Sequence, residues 1–171
     1  MIKLGIIGFG RIGRVHAESI MNYVKDAEVK AVADPYINEE GEKAALELGI
    51  ENVYQDHKKI IDDPEIDAVL VCSSTDTHSQ MSIEAAEAGK DVFCEKPIDK
   101  NLAKIEEVLA VVEKAGVKFQ VGFNRRFDHN FQAVKANVES GKIGDVHLVN
   151  ITSRDPEAPP IDYVKGSGGM F

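Results

Sequence analysis

Gly8-Phe9-Gly10-Arg11-Ile12-Gly13 follows the apolar run Lys3-Leu4-Gly5-Ile6-Ile7 and opens an amphipathic segment. Glycines at that spacing can cradle a phosphate. Gly8 permits a tight turn, Gly10 lets the backbone approach a pyrophosphate, and Gly13 lets a helix pack closely on the strand before it. The anion would meet the free N–H groups and the dipole of the helix start, with Phe9, Arg11 and Ile12 completing the turn. The pattern is weak by itself and gains its meaning from standing between a strand and a helix. Asp34 ends the second apolar run, 21 residues after Gly13, in Ala33-Asp34-Pro35. A carboxylate there hydrogen-bonds the adenosine ribose hydroxyls and repels a 2′-phosphate, and no Arg or Lys directly follows it, so the expected cofactor is NAD rather than NADP.

Two further clusters sit at the ends of apolar runs. Ser73-Ser74-Thr75-Asp76-Thr77-His78 follows the fourth, where open α/β sheets bind ligands, so Ser73, Ser74, Thr75 and His78 are candidate contacts for the nicotinamide half; Ser and Thr at a helix start explain the cluster equally well. Glu95-Lys96-Pro97 follows the fifth. A lysine beside a cationic nicotinamide could orient or polarise a substrate hydroxyl, and Lys96-Pro97 is a candidate cis peptide. Cys72 and Cys94 end apolar runs and read as buried reduced thiols. The histidines, His16, His57, His129 and His147 among them, have no second ligand at metal spacing, so no metal site is expected.

The elements that must position these residues alternate regularly. Strands are expected at 2–7, 29–33, 53–54, 68–72, 91–94 and 118–123, mostly apolar throughout, as in a parallel sheet covered on both faces. Helices fill the gaps. One runs over 11–24; Asn38 caps the next; Asp56 caps a short turn; Thr77 or Asp76 opens a helix ending before Gly89; and Asn101 opens one ending before Gly116. In the last of these, Leu102, Ile105, Val108, Leu109 and Val112 form a stripe for the sheet. A helix over 128–140 and a strand over 146–152 follow. The fold class is α/β, a Rossmann-type doubly wound parallel sheet over 1–121, with the beginning of a second α+β domain over 122–171.

Taken in this order, the glycine motif, Asp34, the polar fourth turn and Glu95-Lys96-Pro97 resemble the family of glucose-fructose oxidoreductase, inositol dehydrogenase and MocA, along the whole chain. The resemblance implies a catalytic role for Lys96 and NAD contacts for Glu95, Lys96 and Pro97. Gly122-Phe123-Asn124-Arg125-Arg126-Phe127-Asp128 resembles the segment crossing into the second domain. Together with 151–156 and 167–171 it is most similar to the inositol-oxidising members, which implies that Lys96, Arg126 and Asp155 meet substrate. The same resemblance implies an Asp and, four residues on, a His just after the Ser-Gly-Gly stretch, so residues 1–171 read as an N-terminal fragment, able to bind NAD and impaired in turnover. The full-length protein is expected to be a homo-oligomer oxidising a ring hydroxyl of myo-inositol. A related sugar or polyol dehydrogenase, and a non-catalytic dinucleotide-binding module, remain alternatives.

The 171 residues carry 20 Lys+Arg and 29 Asp+Glu, a net charge of −9, which argues against a nucleic-acid surface. No apolar stretch approaches the roughly 20 residues of a membrane span, and a cytoplasmic protein is expected.

Overall fold

The computed structural model describes residues 1–154, 157–161 and 164. Six parallel strands form one sheet: β1 (Ile2–Ile7), β2 (Ala27–Ala33), β3 (Asn52–Tyr54), β4 (Ala68–Val71), β5 (Asp91–Cys94) and β6 (Phe119–Val121). Their order is β3-β2-β1-β4-β5-β6. The connecting helices are α1 (Arg11–Tyr23), α2 (Glu39–Glu47), α3 (Lys58–Ile61), α4 (His78–Glu87) and α5 (Leu102–Ala115). The chain steps outward from β1 to β3, then returns to lay β4 on the other side of β1. That reversal opens a crevice between the carboxyl ends of β1 and β4.

Neighbouring residues of the central strands enter different cores. Ile6, Val32 and Leu70 pack with Ala17 of α1 and Ala45 of α2. Ile7, Ala33, Val69 and Val71 pack with Ile60 and Ile61 of α3 and Ala85 and Ala86 of α4. Two covered faces are why these strands are apolar throughout instead of alternating. Lys90, just before β5, is buried; its ammonium donates to the carbonyls of Asp63 at 2.7 Å and Ile66 at 2.9 Å, and desolvation holds its pKa below the ordinary lysine value.

Several helix ends follow local chemistry. Asn38 Oδ1 accepts from Gly41 N at 3.0 Å, Asn101 Oδ1 accepts from Ala103 N at 3.0 Å, and Asp56 Oδ1 accepts from Lys58 N at 2.9 Å. Gly116 closes α5 in the left-handed region at φ 70°. The start of α4 departs from expectation, because neither Thr77 nor Asp76 caps it with a side chain. A 3₁₀ turn, Thr75–Thr77, precedes the helix, and Thr77 spends its hydroxyl on Ser74 O (2.8 Å) and Ser73 Oγ (2.7 Å).

The stripe expected on α5 is also shifted. Val108 is buried and Val111 and Val112 pack on the core under α4, whereas Leu102 and Leu109 are 68% and 49% exposed. At about 100° per residue these two lie on the flank of the buried face, not at its centre. β6 is shorter than the expected 118–123 because its pairing with β5 runs only over Phe119, Gln120 and Val121.

The chain divides into two compact units, Met1–Gly122 and Phe123–Phe171. Within the second, a 3₁₀ turn (Asn124–Phe127) leads into α6 (His129–Glu139), whose cap Asp128 accepts from Asn130 N at 2.9 Å and Phe131 N at 3.3 Å. The strand expected at 146–152 is not formed, and Val146, Leu148, Val149 and Ile151 are exposed. An apolar run becomes a strand only where another strand takes up its N–H and C=O groups, and none of the described residues does so.

Candidate functional site

The turns after β1, β2, β4 and β5 all emerge at the carboxyl edge of the sheet. Gly8 turns the chain out of β1 with φ 92°, and a Cβ there would collide with the backbone of Cys72 and Ser73 after β4. Gly13 faces the carbonyl of Gly8 so closely that a Cβ could not be accommodated. Gly10 differs: it is the N-cap of α1, no side chain caps it, and an added Cβ would meet no protein atom within 4 Å. The space above Gly10 is therefore open, and the amides of Arg11, Ile12 and Gly13 begin the helix beneath it.

Asp34 is wired into this turn. Its Oδ2 accepts from Phe9 N at 2.8 Å and its Oδ1 from Tyr36 N at 2.9 Å. Each oxygen keeps acceptor capacity for a hydroxyl. A cavity of about 370 Å³ opens beside it, lined by Gly8, Asp34, Tyr36, Ser73, Ser74, Asp76 and Thr77, and also by His57 and Met81. Four candidate residues, Gly8, Asp34, Ser73 and Ser74, thus share one cavity. Thr75, Glu95, Lys96 and Pro97 do not line it. Asp76 is held as a carboxylate, its pKa lowered chiefly by the Ser74 hydroxyl. His57 comes from the loop after β3, with Nε2 2.9 Å from Glu84 Oε2, and no local motif marks it.

His78 needs a correction. It is 2% exposed, with Nδ1 2.8 Å from Pro97 O and Nε2 3.0 Å from Ser73 O. No ring nitrogen is left to contact a ligand directly; the side chain ties the turn after β4 to the turn after β5. His78→Ala is expected to lower unfolding stability by about 2–4 kcal/mol, from a cavity and a stranded carbonyl. Urea denaturation reads this directly, and an unchanged midpoint would contradict the bracing role.

Glu95, directly after β5, reaches across to α1. Its Oε1 lies 2.8 Å from His16 Nε2 of α1, and its Oε2 accepts from Lys96 N at 3.2 Å. The His16 ring meets Phe93 edge-on at 5.2 Å. Gly122 makes room, since a Cβ there would sit 3.1–3.2 Å from Phe93 and the Glu95 carboxyl. This pair was invisible in the sequence, although His16 lies one turn beyond Gly13 on the same helix. The Lys96–Pro97 peptide is cis, and the Lys96 side chain is exposed with no hydrogen bond or ion pair to any described residue. Cys72 and Cys94 are free thiols. Burial pushes Cys72 far above the ordinary thiol value and Cys94 up to about 11, so neither is a nucleophile at neutral pH.

In the second unit, the Arg126 guanidinium lies 6.0 Å from the centre of the Phe123 ring, and Arg125 lies 5.4 Å from that of Phe131. Asp155 falls outside the described residues. Among the described residues, no His, Cys, Asp and Glu cluster could hold a metal, and no helix is long and apolar enough to cross a membrane.

A parallel sheet in this order, with a glycine turn at its switch point and an acid ending the second strand, defines a dinucleotide-binding domain. Its donor set fits NAD: open space over Gly10 for a pyrophosphate, and a carboxylate with spare acceptors for a ribose. The chain belongs to the GFO_IDH_MocA oxidoreductase family, whose NAD-binding Rossmann fold matches residues 2–123. It is 48% identical over 171 residues to a myo-inositol 2-dehydrogenase of Thermotoga maritima and 45% identical over 174 residues to an inositol 2-dehydrogenase of Rhizobium meliloti. Each match covers 99% of this chain and 50% of the relative, so the chain spans about half the length of these curated relatives. A crystal structure of a probable dehydrogenase from Thermotoga maritima superposes with a TM-score of 0.93 at 47% identity, covering 99% of this chain and 50% of that one. The scyllo-inositol dehydrogenase of Lactobacillus casei, solved with NAD(H) and scyllo-inositol, superposes with a TM-score of 0.80 at 39% identity, covering 85% of this chain and 43% of that one.

Proposed function

We propose that this chain is the nucleotide-binding part of an NAD-dependent dehydrogenase that oxidises a ring hydroxyl of myo-inositol. The observation that carries the reading is the 48% identity to a myo-inositol 2-dehydrogenase along 99% of the chain, Lys96 included in the matched span. Residues 1–121 form the cofactor domain in this reading, and 122–171 open the substrate domain.

Bound NAD supplies a hydride acceptor. The chain's own residues do the rest. The start of α1 above Gly10 binds the pyrophosphate, with Gly8 and Gly13 keeping the turn tight and Phe9, Arg11 and Ile12 completing it. Asp34 takes the adenosine ribose hydroxyls and excludes a 2′-phosphate. Ser73, Ser74 and Thr75 border the crevice on the β4 side. Lys96, at the end of β5 and without a partner among the described residues, donates from its ammonium to the substrate hydroxyl oxygen and steadies the negative charge that develops there. Glu95 and Pro97 hold Lys96 in place, while Arg126 and Asp155 serve the substrate side. Turnover by residues 1–171 alone is impaired in this reading, because the relatives are about twice as long.

Calorimetric titration of the chain with NAD and NADP tests the cofactor half. Saturable NAD binding is expected, with NADP weaker by about 10-fold or more, since Asp34 would face a phosphate. Equal affinity for both would overturn the role of Asp34. A protein of the relatives' length, offered myo-inositol, scyllo-inositol and a panel of aldoses with NADH absorbance as readout, tests the substrate; preference for an aldose would overturn the inositol assignment.

A further inference from the structure

One ion pair outside the cavity lies beside the residues assigned to the ribose end of the crevice. Arg14 sits on α1, one residue past Gly13. Its Nε donates to Phe9 O at 3.3 Å and its Nη1 donates to Glu40 Oε1 at 2.8 Å. Phe9 is also the residue whose N–H is bonded to Asp34 Oδ2 at 2.8 Å. Arg14 and Asp34 therefore grip the two polar groups of the same residue. One residue and two hydrogen bonds separate the guanidinium from the carboxylate assigned to the ribose.

A guanidinium in that place is what a ribose 2′-phosphate would recruit, because its planar donor fork matches phosphate oxygens. Here it is already engaged. Glu40 belongs to the first turn of α2, which carries Glu39, Glu40 and Glu42. The Gly41 amide of that turn is bonded to Asn38 Oδ1, so this N–H of the helix start is closed to an anion as well. A Cβ at Gly41 would crowd Ile37 Cγ1 at 2.9 Å and lie at ordinary contact distance, 3.5 Å, from Arg14 Nη2.

We propose that Glu40 is a cofactor-specificity residue, acting through Arg14: by pairing with Arg14 it withholds from a 2′-phosphate a cation that is bonded to the same residue as Asp34. It is a second layer of exclusion behind the direct repulsion from Asp34. The proposal rests on the dinucleotide reading of the site. The pair is solvated, with side chains 36% and 77% exposed, so its effect is a modest one on affinity, not an all-or-none switch.

The test compares the parent chain with Glu40→Gln, Arg14→Gln and the double variant, all at exposed or half-exposed positions where folding should be unaffected, by titration with NAD and NADP. Glu40→Gln is expected to tighten NADP by about 2- to 5-fold while NAD affinity stays unchanged. In the double variant that gain should disappear. The same series on an Asp34→Ser background, where NADP binds more readily, should show the same increment. A gain that persists without Arg14 would mean general charge removal and would overturn the proposal. So would an NADP affinity that Glu40→Gln leaves unchanged in a chain that binds NAD. A parent chain that binds no NAD would overturn the dinucleotide reading, and this proposal with it.

Discussion

Replacing Lys96 by Met in a protein of the relatives' length is expected to lower inositol turnover by about 10²- to 10⁴-fold, the range for a positioned proton-transfer or charge-stabilising group. The same change in residues 1–171 should alter NAD affinity by less than about 10-fold, because contacts of a solvent-exposed ammonium with a ligand replace contacts with water and add little net affinity. The asymmetry follows from placement. Lys96 stands at the carboxyl end of β5, its side chain makes no hydrogen bond or ion pair to a described residue, and its backbone N–H is bonded to Glu95 Oε2. No described residue requires the ammonium. Met keeps most of the stem and removes only the charge and the donors, so the backbone of the turn should be undisturbed. Turnover and NAD affinity falling together would place Lys96 in cofactor binding alone. Unchanged turnover would remove it from the chemistry.

The parts of this site that were legible in the sequence depend on short-range rules. Gly8, Gly10 and Gly13 are read from their spacing and from the strand before them, and Asp34 from its distance beyond. Asn38, Asp56 and Asn101 announce helix starts because a short polar side chain there reaches an amide two or three residues ahead. What was missed depends on which turns the sheet brings together. His16 and Glu95 are 79 residues apart and meet only because α1 and β5 approach the same crevice. His57 enters the cavity beside Asp34 from the loop after β3, and nothing adjacent in sequence distinguishes it from a surface histidine. His78 illustrates a third case. Its position in a polar turn suggested a ligand contact, but two carbonyls from separate turns claim both nitrogens, and only the folded chain could place them there. Leu102 and Leu109 fit a stripe by period yet miss the sheet, because periodicity defines a face and packing decides its centre. The run at 146–152 had strand composition without a partner strand, which composition cannot foretell.

The two inner glycines of the turn should separate folding from binding. Gly13→Ala would ordinarily stabilise a helix by about 1 kcal/mol, since Ala is the better helix former. At this position the new methyl would collide with the carbonyl of Gly8, which is backbone held by the β1 turn and by the contact of Gly8 with Ser73. Relief requires α1 to move off the sheet, at a cost of roughly 1–3 kcal/mol for forced overpacking. The net sign is therefore expected to be destabilising, and NAD binding should be lost as the amides of α1 leave their positions. Gly10→Ala is the contrasting case. Its φ of −73° suits any residue and its Cβ would meet no protein atom. Folding should lose under about 1 kcal/mol, the difference between Gly and Ala at a helix N-cap. NAD affinity should nevertheless fall by about 10-fold or more, because the methyl would occupy the space through which a pyrophosphate reaches the backbone. Paired urea denaturation and NAD titration of both variants read the four quantities. A stabilised Gly13→Ala would show that the contact with Gly8 is not tight in solution, and a Gly10→Ala chain that binds NAD normally would place the pyrophosphate away from the start of α1.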